Sequence, residues 1–166
     1  MMEQLIEHIT QTQNISLQQL DYLLNTDDRD LIEKLRKVAQ ETAQSVYGNK
    51  IFIRGLIEFT NYCKNDCYYC GIRKSNRCVD RYRLEKETIL ACCCQGYELG
   101  FRTFVLQGGE DMFFTDDYVC EIVSSIKKNY PDCAVTLSIG ERSRESYQRF
   151  RDAGADRYLL RHETAN

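Results

Sequence analysis

Apolar residues recur along this chain in two different rhythms. Up to about Gly48 they fall at helical spacing. Leu17, Leu20 and Leu24 form one stripe, preceded by Ser16 and Gln19 in capping-box order. Leu31, Leu35, Val38, Thr42 and Val46 form a second, which Thr26-Asp27-Asp28 starts and Gly48-Asn49 stops. From Lys50 onward, short β-branched or apolar runs alternate with amphipathic stretches. Leu56 to Thr60 predicts a strand and Leu84 to Leu99 a helix closed by Gly100. Arg102 to Gln107 predicts a second strand, and Thr115 caps a helix towards Tyr130. Cys133 to Ser138 is the third strand, Ser143 caps a helix ending near Gly154, and Asp156 to Leu160 is the fourth strand.

Strands alternating with helices imply a parallel sheet. The expected fold class is α/β. An N-terminal helical extension, residues 1–49, precedes the first half of a TIM-type (βα) barrel, residues 50–166. A closed barrel of this type needs about 200 residues or more, so the barrel is expected to be truncated after its fourth strand. The outer edge of that strand would otherwise be left unpaired.

The polar residues with chemical potential follow the strands. They are the cysteines after the first, Gly108-Gly109-Glu110 after the second, Ser138-Ile139-Gly140-Glu141 at the end of the third, and Arg161-His162-Glu163 after the fourth. In a βα barrel the site lies at that end of the strands, so four separate segments are expected to meet on one rim.

Cys63, Cys67 and Cys70 stand at CxxxC and CxxC spacing. Three thiolates on a compact loop suit a four-iron cluster that leaves one iron open to a small molecule. Two alternatives remain open at this point. A structural zinc site would recruit Cys78, although zinc quartets favour two close pairs. An electron-transfer cluster would also be closed by Cys78. Tyr69 could stack on a purine or merely pack the loop. The two glycines let the backbone approach a ligand, and Glu110 supplies an acceptor for an ammonium group. Arg161 could form a fork with a carboxylate, Ser138 and Glu141 could bind hydroxyls or an amine, and Glu163 could accept from ribose hydroxyls. Each of these also has an ordinary reading as a turn or a surface ion pair. His8 is read as a packing or surface residue.

Nine cysteines, with Cys92, Cys93 and Cys94 adjacent, fit an oxidised secreted protein poorly. Neighbours on a helix point about 100° apart, so these three cannot converge on one metal and read as filler, as do Cys120 and Cys133. The basic stretch from Arg73 through Arg81 to Arg83 reads as a solvated loop, with Arg83 a candidate for binding an anion. The net charge of -3 gives no sign of a nucleic-acid or membrane partner. Met1-Met2-Glu3-Gln4 lacks the layout of a signal peptide. The expected location is the cytoplasm.

CxxxCxxC after the first strand with Gly-Gly-Glu after the second resembles the radical S-adenosylmethionine (SAM) superfamily. Within it, Glu58–Cys63, Tyr69–Arg73, Val105–Asp111, Leu137–Glu141 and Ala155–Asn166 resemble the HydE family of iron-iron hydrogenase maturases, relatives of biotin synthase and methylornithine synthase. The resemblance spans about Ile51 to Asn166 and extends loosely to the helical segment. It implies an enzyme in which Cys63, Cys67 and Cys70 hold a 4Fe-4S cluster and SAM binds the open iron. It implies SAM contacts from Tyr69, Gly109, Glu110, Ser138, Arg161 and Glu163. A one-electron reductant such as ferredoxin or flavodoxin would drive cleavage of SAM to an adenosyl radical, which acts on a small-molecule or organometallic substrate near Thr136. Other hydrogenase maturases are implied partners. A half-barrel by itself is expected to be inactive. Biotin synthase-like and methylornithine synthase-like chemistry remain the enzymatic alternatives.

Overall fold

The computed structural model describes the backbone of residues 2–162 and the side chains of residues 5–162. It divides into two compact units, Met1–Phe52 and Ile53–Asn166.

The first unit is helical: α1 (Met2–Thr12), α2 (Leu17–Asn25) and α3 (Arg29–Tyr47). Ser16 and Gln19 form the reciprocal capping box, with bonds of 2.9 and 3.2 Å. α3 is capped by Asp28 and not by Thr26: Asp28 Oδ1 accepts from the N–H groups of Asp30 and Leu31 at 3.0 and 3.1 Å. α1 packs on α3, and Ile6 and Leu31 are buried. The predicted stripe of α3 fades towards its end, where Thr42 is exposed and Val46 is 67% exposed.

The second unit alternates strand and helix: β1 (Gly55–Thr60), α4 (Lys86–Glu98), β2 (Thr103–Gly108), α5 (Asp116–Asn129), β3 (Ala134–Ser138), α6 (Arg144–Asp152) and β4 (Arg157–Tyr158). The Thr115 and Ser143 side chains cap α5 and α6 as the sequence predicts. All pairings are parallel and the strand order is β1-β2-β3-β4. Ile57, Phe59, Phe104, Leu106, Val135 and Leu137 alternate along the strands and form one buried core with residues of all three helices: Ile89 and Cys93 of α4, Val119, Ile122, Val123 and Ile126 of α5, and Phe150 of α6. Each fully buried large side chain contributes about 1.5–3 kcal/mol. Sequential order with the helices on one face is the winding of a βα barrel. A doubly wound sheet reverses direction midway and carries helices on both faces.

The fourth strand is shorter than expected. Only Arg157 and Tyr158 pair as strand, although backbone bonds to β3 continue on either side, with Leu159 N–H donating to Leu137 O at 2.8 Å. Asp156 Oδ2 accepts from Val135 N–H at 2.8 Å while Asp156 N–H donates back to Val135 O at 2.9 Å. The cysteine triplet separates as its helical spacing requires: Cys93 is buried, Cys92 and Cys94 are exposed. Burial pushes the Cys93 thiol up to about 12 and also raises Cys120 and Cys133, which disfavours their thiolate forms. Among the described residues no helix is long and apolar enough to cross a membrane.

Candidate functional site

β1 runs directly into the cysteine loop, and the base of that loop is zipped shut. Thr60 and Arg83 form an antiparallel bridge. Leu84 N–H donates to Phe59 O at 2.7 Å, and Asn61 bonds through its side chain to Asp80 O and Tyr82 N–H at 2.7 and 2.8 Å. Inside the loop, short turns give local order: Cys70 N–H donates to Cys67 O at 3.0 Å and Lys74 N–H to Asn65 O at 2.8 Å. The Ser75 side chain and N–H hold the Asp66 carboxyl below its ordinary value.

Arg81 lies at the centre of this loop. Its guanidinium donates to the carbonyls of Ile72, Arg73 and Asn76 at 2.9, 2.7 and 3.0 Å, and also to that of Asn61. The basic stretch is therefore not simply a solvated loop. One planar fork satisfies carbonyls that an irregular backbone cannot pair with itself. Arg81→Ala is expected to leave the sheet folded but to loosen the loop by about 1–2 kcal/mol. Iron retained per chain after anaerobic reconstitution would fall, with little change in the melting of the sheet. Arg81→Lys would not restore it, since a point charge cannot span four carbonyls.

The three predicted cluster cysteines all sit on this loop. Cys63 and Cys70 are half-buried and Cys67 is exposed. Cys63 Sγ accepts two backbone N–H groups, from Asn65 and Glu110, each at 3.4 Å. Such donors offset the charge of a cluster thiolate. No three His, Cys, Asp or Glu side chains among the described residues close on a single metal ion. Three thiols at CxxxC and CxxC spacing on one loop suit a four-iron cluster better than a zinc quartet, which favours two close pairs. Cys78 is exposed, and its N–H is taken by Asn76 Oδ1 at 3.0 Å.

The turn after β2 presses against the start of this loop. A Cβ on Gly109 would stand 2.2 Å from Tyr62 O and 2.7 Å from Cys63 Cβ, so no other residue fits there. Lys64 N–H donates to Glu110 O at 3.0 Å. The Glu110 carboxylate pairs with Lys64 Nζ at 2.9 Å and accepts from Glu141 N–H at 3.3 Å. Gly140, at φ +76, passes so close that a Cβ would lie 2.1 Å from Glu110 Cγ. The ends of β1, β2 and β3 thus meet at Glu110, as the sequence leads one to expect. Beside it lies a cavity of about 270 Å³ lined by Lys64, Glu110, Met112, Glu141, Arg142 and Ser143. Ligand pockets usually run from about 300 to 1,000 Å³, and this one falls just below that range.

The neighbouring Asp111 is 4% exposed and takes four donors: Thr60 Oγ1 at 2.8 Å, Arg83 at 2.6 and 2.9 Å, and Phe113 N–H at 3.1 Å. Arg83 lies over the rings of Tyr62 and Phe113, 3.9 and 4.8 Å from their centres. Its Nε and Nη2 are both taken by the Asp111 carboxylate. Sequence reasoning missed Asp111, because its partners Arg83 and Thr60 lie 28 and 51 positions away and no short-range pattern marks them.

The remaining candidates lie on the sheet face opposite the helices. Thr136 and Ser138 are buried there, in register with Val105 and Gln107. Gln107 Nε2 donates to Glu58 Oε1 at 3.1 Å, and Arg161 reaches Gln107 Oε1 at 3.5 Å. This polar row from Glu58 to Arg161 was only partly anticipated. Gln107 and Glu58 alternate with the core residues of their strands, and that period was the available signal. Tyr69 is 69% exposed. Glu163 lies outside the described residues.

Residues 57–166 match the Radical SAM superfamily. The [FeFe] hydrogenase maturase subunit HydE of Thermotoga maritima is 46% identical over 143 residues, covering 86% of this chain and 40% of that protein. The 3-methylornithine synthase of Methanosarcina acetivorans is 31% identical over 160 residues, covering 95% of this chain and 45% of the relative. Among solved structures, HydG, a maturase of the [FeFe]-hydrogenase, superposes with a TM-score of 0.87 at 28% identity, over 99% of this chain and 37% of that one. The chain thus spans less than half the length of these curated relatives. A loop carrying three separate thiols, a Gly-Gly-Glu turn packed against it, a sheet wound as in a βα barrel, and a match covering most of the sequence agree: this chain belongs to the Radical SAM superfamily.

Proposed function

We propose that this chain forms the SAM-cleaving part of a maturase that acts in assembly of the iron-iron hydrogenase active-site cluster. The observation that carries this is the packing of Cys63 directly against Gly109 and Glu110. The 46% identity to HydE supports the specific role. Cys63, Cys67 and Cys70 would hold a 4Fe-4S cluster on the loop braced by Arg81. When bound, the cluster supplies the single electron that cleaves a carbon–sulfur bond of SAM.

The chain's own residues bind and orient. Glu110 offers a carboxylate to the SAM amino group, and Gly109 lets the backbone come close. Ser138, Arg161, Tyr69 and Glu163 would hold the rest of SAM, and Thr136 would face the substrate across the open sheet face. The helical extension of residues 1–49 would precede the partial barrel of residues 50–166. A cytoplasmic setting, a ferredoxin- or flavodoxin-type electron donor and other hydrogenase maturases complete the proposal.

Anaerobic reconstitution of the chain with iron and sulfide tests this. The spin-resonance signal of the reduced protein should change on adding SAM, because SAM would bind the iron that lacks a cysteine. A signal indifferent to SAM would remove the proposal.

A further inference from the structure

Lys64 is the residue between the first cluster cysteine and the rest of the loop, and it is bound to Glu110 twice. Its backbone N–H donates to Glu110 O at 3.0 Å and its ammonium meets Glu110 Oε2 at 2.9 Å. The other carboxylate oxygen takes Glu141 N–H at 3.3 Å. Both oxygens of the acceptor assigned to the SAM amine are therefore engaged within the protein. The two partners differ in freedom. The Glu110 side chain is 15% exposed, whereas that of Lys64 is 51% exposed. A lysine with a wet, flexible stem can swing its head into water at little cost. Glu110 is mostly buried and is also held by the Glu141 N–H.

We propose that Lys64 is an internal competitor for the SAM amine: its ammonium holds the Glu110 carboxylate in the ligand-free protein and is displaced when the amino group of SAM arrives. This rests on the SAM reading of the site. The pair keeps a half-buried carboxylate neutralised and correctly aimed while no ligand is present. It also subtracts from the affinity for any amine that takes its place. The cavity bordered by both residues gives the incoming group its path. Competition of this kind selects against ligands that lack an amine, because only a cation compensates Glu110 once Lys64 leaves.

The test is equilibrium binding by calorimetry on the full chain carrying its cluster, with iron per chain measured in each variant. Lys64→Gln is expected to tighten SAM binding by about twofold to fivefold, within the range of an exposed ion pair. Lys64→Arg, which keeps a cation at the position, should match the wild type. The gain should vanish with a SAM analogue lacking the α-amino group. Weaker SAM binding by Lys64→Gln would make Lys64 a ligand of SAM and overturn the proposal. Unchanged affinity would overturn it too, while leaving the SAM site standing. Absence of SAM binding in every form, wild type included, would overturn both.

Discussion

Cys63→Ala, Cys67→Ala and Cys70→Ala are each expected to abolish the cluster, whereas Cys78→Ala leaves it in place. Iron in the reconstituted protein should fall from about four atoms per chain to fewer than about one in the first three variants. The visible absorption and the spin-resonance signal should go with it. The reason is geometric. The three thiols stand on one loop whose ends are zipped and whose interior hangs on Arg81. In the proposed cluster each would serve a different iron, so none would substitute for another. Cys78 is exposed, beyond the turn that Asn76 makes. Loss of the cluster in Cys78→Ala would show a fourth protein ligand, and the open iron on which the proposed function depends would be gone.

Asp111→Ala should be the most damaging change outside the cysteines. It strands the Arg83 guanidinium and the Phe113 N–H and leaves the Thr60 hydroxyl only its 3.4 Å bond to Tyr82 O. Removing one partner of a buried ion pair costs about 3–5 kcal/mol. Arg83 is one-third exposed, so the lower end, about 3 kcal/mol, is expected, and a melting temperature lower by about 10 °C follows for a domain of this size. The bond network also carries a pH signature. Burial alone pushes the Asp111 carboxyl up, but hydrogen bonds from Arg83, Thr60 and Phe113 outweigh it and hold the carboxyl below its ordinary value. A carboxyl depressed in the folded state stabilises fully above the unfolded value near pH 4, and that contribution drains away as pH falls through the lower folded value. The stability difference between wild type and Asp111→Asn, read by denaturant unfolding, should therefore be large at pH 7 and shrink at acid pH. A difference that stays constant down to pH 3 would mean that the charge of Asp111 contributes nothing.

The legible parts of this molecule share a short range. Ser16, Thr115 and Ser143 cap their helices because a cap is settled between residues three apart, and the side chain itself is the signal. The alternation in the second unit marks strands and helices because one face of each has to be buried. The split of Cys92, Cys93 and Cys94 between surface and core followed from helical geometry alone. Where two acidic residues stood together, at Asp27 and Asp28, the sequence could not say which would cap α3.

What misled was range. Arg81 and Arg83 read as solvated charges because a basic run usually is one. Their partners sit at Asn61 and Asp111, brought near only when the loop closes and β2 lies beside β1. β4 read as five residues, yet only Arg157 and Tyr158 pair as strand, and the Asp156 carboxylate caps the Val135 N–H beside them.

The amino-acid sequence by itself determined the elements, their parallel winding, the three cysteines on one loop and the glycines and carboxylate that follow the second strand. Those features are written in spacing, and spacing is local. Only the tertiary structure decided that Glu110 is held by Lys64, that Arg83 serves Asp111, and that Arg81 braces the loop. Partner choice among charged side chains depends on which distant backbones come within about 3 Å, and no pattern along a chain encodes that distance before the chain has folded.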